Sequence, residues 1–165
     1  YEMQRSLVGS EMCIRDSKWI QLGITALLLI RAVYTDLKTG KIENRLICLG
    51  LAAGFVCGCV EGGTSRLLEG IKMMCIVTAV LFFLFAIKGL GAGDIKLLGM
   101  LAFIFPEDAV SIIAASFFAG AAIAGGRMFI RAWKREKIYR QRETLNFSVP
   151  IALGTGAVQL WNMLR

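Results

Sequence analysis

The chain contains no histidine, so proton transfer at neutral pH has to rest on carboxylates, lysines, hydroxyls or thiols. Two aspartates stand out by their position. Asp36 closes an apolar segment in the run AVYTDLKTGKIEN (32–44), and Asp94 opens another in KGLGAGDIKLLGM (88–100). A carboxylate at the margin of hydrocarbon is costly, and one that is kept there marks a functional candidate with a partner to be found. Here each aspartate is the other's candidate partner. Two carboxylates held close cannot both ionise, so the pair shares a proton. One member can then take a proton from water while the other gives one to a leaving amine, the chemistry of aspartic proteases.

The residues around Asp94 support this reading. Gly89, Gly91 and Gly93 alternate just before it, a stretch that disfavours helix and lets another backbone approach, as an extended substrate would. Lys96, two residues on, and the start of a helix both favour an ionised Asp94, leaving Asp36 as the protonated member. Simpler roles exist for both acids. Asp94 could be a helix cap, with the glycines as its turn, and Asp36 a solvated loop residue balanced by Lys38 and Lys41. The five cysteines contain no CxxC, and without histidine a zinc site would need four scattered thiolates, so no metal and no cofactor are expected.

The elements that must position these residues are membrane helices. Of the 165 residues 56% are hydrophobic and only 19% charged, against about 25% charged in a soluble domain. This composition excludes intrinsic disorder, and a nucleic-acid module is not expected despite the net charge of +7. Six apolar segments can be marked: Trp19–Thr35, Leu46–Val60, Ile71–Ile87, Ile95–Phe105, Val110–Ile130 and Phe147–Leu164. The expectation is an all-α polytopic protein of about six transmembrane helices in a lipid bilayer. Several segments fall short of the roughly 20 residues that a perpendicular span needs, so tilt or incomplete crossing has to make up the difference. Asp94 lies only about 18 Å from the outer edge by helical rise, inside the hydrocarbon, which requires tilt or a recess that water can reach.

Most charges fall between the segments. An external N-terminus puts twelve lysines and arginines on the inner side, seven of them in the run Arg127–Arg142, and six on the outer side. The positive-inside bias therefore selects two external termini and places both aspartates at the cytoplasmic face. Residues 1–17 carry mixed charge without periodicity and read as a non-native or disordered tail; 18–165 read as one membrane-embedded domain.

The motifs are also recognisable. Gly91-Ala92-Gly93-Asp94-Ile95-Lys96-Leu97 resembles the GxGDxKL signature of the type IV prepilin peptidases, membrane-embedded aspartic endopeptidases. Asp36 with Lys41-Ile42-Glu43-Asn44 resembles that family's other motif, an aspartate followed by Ile-Pro-Asn, with Glu43 in place of the proline. Val149–Gly154 is a weaker echo of a proline-containing segment near the last helix. The resemblance implies Asp36 and Asp94 as catalytic residues, Gly91 and Gly93 as shaping the substrate site, and supporting places for Lys96 and Asn44. It also implies a substrate: prepilins or pseudopilins, cut after a glycine that ends a basic cytoplasmic leader. The short interval between Asp36 and Leu46 resembles the peptidase-only branch, without the cysteine-based zinc domain linked to N-methylation. Two other readings use the same acids, a presenilin-like or signal-peptide-peptidase-like GxGD protease and a non-enzymatic ion- or proton-coupled membrane protein.

Overall fold

The computed structural model describes residues 2–87, 89–133 and 147–165, with side chains described for 18–87, 89–129 and 147–165. Lys88 and all of the basic run beyond Trp133 lie outside the described residues. Six helices follow in order: α1 Glu2–Thr39, α2 Asn44–Glu61, α3 Gly63–Ala86, α4 Ala92–Ile104, α5 Ala109–Trp133 and α6 Ser148–Leu164. Each takes in one of the six apolar segments to within one residue, and no strand occurs among the described residues. The backbone of residues 2–17 continues α1.

Four stretches are long and apolar enough to cross a bilayer: Lys18–Thr39, Asn44–Glu61, Gly63–Ala86 and Ala109–Phe129. The protein is therefore a helical membrane protein. With 13 residues, α4 is about 20 Å long, short of a hydrocarbon core of about 30 Å. It is also the most buried helix, with Leu97, Leu98, Met100 and Leu101 at 1% exposure or less. A helix that is apolar all round belongs inside a bundle, and α4 is enclosed by α2, α3 and α5. The outer surface has the opposite character to that of a soluble protein. Leu27, Ile30, Val80, Phe83 and Phe118 are all more than half exposed, as lipid-facing side chains are.

Small residues let the helices close on one another, as membrane interfaces require. A Cβ on Gly70 would stand 2.8 Å from the Phe103 carbonyl oxygen, so α3 and α4 touch nearly backbone to backbone there. A Cβ on Gly154 would stand 2.5 Å from the Ser116 backbone nitrogen, which brings α6 onto α5. The ends of the elements follow local chemistry. Gly40 takes φ +64° and closes α1, a conformation that glycine reaches without strain. Phe105 leaves helical geometry immediately before Pro106, which ends α4.

Candidate active site

Asp36 lies in the last turn of α1, where its carbonyl accepts the Gly40 N–H at 2.8 Å. Threonine hydroxyls fasten this turn: Thr35 donates to the Ala32 carbonyl at 3.0 Å, and Thr39 to the Thr35 carbonyl at 2.7 Å. The Asp36 side chain turns inward and is 8% exposed, so it is not a solvated loop carboxylate. Lys38 instead stacks on Tyr34, with its ammonium 5.8 Å from the ring centroid. Ser148, the first residue of α6 and itself fully buried, donates its hydroxyl to Asp36 Oδ2 at 2.5 Å.

Asp94 lies on the third residue of α4 rather than at its cap, because the helix begins at Ala92 with Gly91 as N-cap. Its carboxylate reaches back to the Gly91 backbone N–H, the second half of a capping box. It is half-buried and lies within the electrostatic reach of Asp36. The structure thus brings the two aspartates into one site from α1 and α4. Gly91 makes the arrangement possible, since a Cβ there would stand 2.9 Å from Asp94 Oδ2. Gly93 is looser: its Cβ would meet Ile42 at 3.4 Å, an ordinary contact.

The two sequence motifs lock together through the connection between α1 and α2. Ile42 covers Gly93, and Lys96 Nζ donates to Asn44 Oδ1 at 3.1 Å, tying the start of α4 to the start of α2. The charge acting on Asp94 is that of Asp36, whereas Lys96 points elsewhere. Residues two apart on a helix face different ways, which is why proximity in sequence was a poor guide here. Glu43 holds φ −68° and ψ 129°, a conformation proline would also adopt, so the turn stands without the proline of the resembling motif. Ser148 was missed by sequence reasoning. Its only signal was adjacency to Val149–Gly154, and 112 residues separate it from Asp36. An apolar groove between α1 and α6 is lined by Leu22, Leu29, Val33, Val149 and Ala152, the last two just after Ser148 in α6.

Fold and site together define a helical membrane protein with two acidic side chains gathered at one end of its helices. The model of the type IV leader peptidase family matches residues 23–125, and the chain belongs to that family. The match takes in both aspartates and ends within α5, so Ser148 lies beyond it. No curated protein and no solved structure matches the chain significantly.

Proposed function

We propose that the protein is an aspartic endopeptidase of the cytoplasmic membrane of a bacterium or archaeon, and that residues 18–165 form its peptidase domain. It removes the basic leader of a type IV prepilin or pseudopilin after a glycine, at the cytoplasmic face. Family membership supports a leader peptidase in general. The observation that carries the finer reading is the meeting of buried Asp36 and half-buried Asp94 on separate helices. One carboxylate takes a proton from water, whose oxygen attacks the scissile carbonyl carbon. The other gives its proton to the departing nitrogen as the C–N bond breaks, and no cofactor is required. The leader runs as an extended strand over Gly91–Gly93, and the apolar segment that follows the cut lies in the groove between α1 and α6. The four residues between α1 and α2 leave no inserted domain at that point, in keeping with a peptidase-only form.

The test is turnover of a leader-bearing peptide by the purified protein and by Asp36→Asn and Asp94→Asn. Each substitution is expected to abolish cleavage while the protein stays folded in detergent. Full activity in either variant would overturn the dyad. A wild-type protein that leaves the peptide intact would favour ion or proton coupling through the same acids.

A further inference from the structure

The end of α4 remote from Asp94 carries polar contacts that the reaction does not use. Gln21 of α1 is 5% exposed, and its side-chain Nε2 donates to the Ile104 carbonyl at 3.1 Å. Arg66 Nη2 donates to the same oxygen at 3.3 Å, and Arg66 Nε lies 3.8 Å from Glu61. The last carbonyls of a helix have no partner inside it, and Ile104 is buried, so donors from other helices are the means of satisfying its carbonyl. Gln21 stands at the wall of a cavity that Glu61, Arg66, Glu107 and Asp108 also line, yet it is itself nearly shut off from solvent, and a buried amide is kept where it makes such a bond.

The location of the bond gives it a second consequence. α1 packs chiefly on α2 and α6, whereas α4 packs chiefly on α2, α3 and α5. The two helices that carry the aspartates are therefore not held together by a broad mutual interface. They run antiparallel and are coupled at their ends: at one, Asp36 and Asp94 share a site, and at the other, Gln21 holds Ile104. Ten helical steps without a break lead from Asp94 to Ile104, about 15 Å of stiff rod. Fixing the Ile104 end against α1 fixes the height of Asp94 against Asp36.

We infer that Gln21 is a positioning residue for the dyad, acting through the Ile104 carbonyl and the α4 rod to set the separation of Asp36 and Asp94. The inference rests on the proposed dyad for its kinetic part only. A misplacement of about 1 Å at a reacting centre can cost about a hundredfold in rate, so a modest slide of α4 is enough to be seen.

The experiment compares Gln21→Met, which keeps the length of the side chain but removes the donor, with the wild type and with Leu27→Met on the lipid face of α1. With a leader-bearing peptide, Gln21→Met is expected to lower kcat about tenfold or more and leave KM within about twofold, since remote binding is untouched. The two flanks of its pH–rate profile should also move together, because carboxylates held further apart couple less; a merely structural role would not produce this. Leu27→Met should behave as wild type. Independently of activity, spin labels on cysteines at exposed positions 37 and 92, in a background freed of native cysteines, report the distance between the end of α1 and the start of α4. Gln21→Met should shift or broaden that distribution. An unchanged distribution with unchanged kcat and pH profile would overturn the inference, as would a loss of activity with an unmoved distribution. If the wild type cleaves nothing, the proposed function fails while the distance measurement still decides the role of Gln21. If Gln21→Met does not fold, Gln21→Asn, whose amide is one methylene shorter, goes through the same measurements with the same deciding outcomes.

Discussion

At the scale of residues, the site depends on atoms that are absent as much as on those present. The missing Cβ of Gly91 is what admits the Asp94 carboxylate, because a methyl there would stand 2.9 Å from Oδ2. The backbone of Gly91, at φ −78° and ψ 148°, suits alanine as well as glycine, so Gly91→Ala introduces no strain of its own. The atom that must yield is the far end of a side chain, and it yields by moving the carboxylate. Gly91→Ala is therefore expected to change the melting temperature in detergent little while cleavage falls about tenfold or more, since reacting groups must stay in register. Gly93→Ala makes only an ordinary contact with Ile42 and should stay folded. If substrate backbone crosses Gly93, its KM should rise while Gly91→Ala shows its loss in kcat. Peptide turnover with thermal unfolding of both variants checks this, and equal losses of activity and stability in Gly91→Ala would refute it.

At the scale of elements, the six helices were legible because apolar runs bounded by charge and glycine leave few other structures for a membrane chain. Their pairing was not. Nothing in one dimension shows that Ser148 at the start of α6 donates to Asp36, or that Lys96 turns from Asp94 to Asn44. Those contacts arise from helix faces and crossing points, which small residues set. Gly154 is the sharpest of these on α6, with the Ser116 backbone nitrogen 2.5 Å from where a Cβ would be. Backbone cannot yield as a side-chain tip does, so Gly154→Ala must push α6 off α5. The expected cost is about 1–3 kcal/mol, the usual range for overpacking, read as a lowered midpoint in a detergent-denaturation series. Because α6 starts with Ser148, some loss of turnover should accompany the loss of stability. A variant with the wild-type midpoint would mean that this crossing is not tight in the membrane.

At the scale of the whole molecule, charge separates the two ends of the helices and thereby predicts which way the protein sits. The end with the aspartates exposes Lys38, Lys41, Arg45 and Lys96, with Glu43 among them. Around the opposite end, Lys18, Arg66 and Arg165 are mixed with Glu61, Glu107 and Asp108 about one cavity. Lysine and arginine hold a loop on the cytoplasmic side while acidic residues count for little, so the aspartate end is expected to face the cytoplasm. Of the seven cations of Arg127–Arg142, Arg127 and Arg131 lie near the end of α5 and the other five, outside the described residues, fall between α5 and α6 in sequence; all favour the same side. The prediction is that a reporter fused after Arg165 reads extracytoplasmic. A cysteine at exposed Lys41, the native cysteines having been replaced, should react with an impermeant thiol reagent only after the cytoplasmic face is opened. A cytoplasmic reading from the Arg165 fusion, or labelling of position 41 in intact cells, would reverse the orientation. The proposed cleavage would then have to occur on the far side of the membrane from a cytoplasmic leader, and the assignment of a prepilin-type substrate would fall with it.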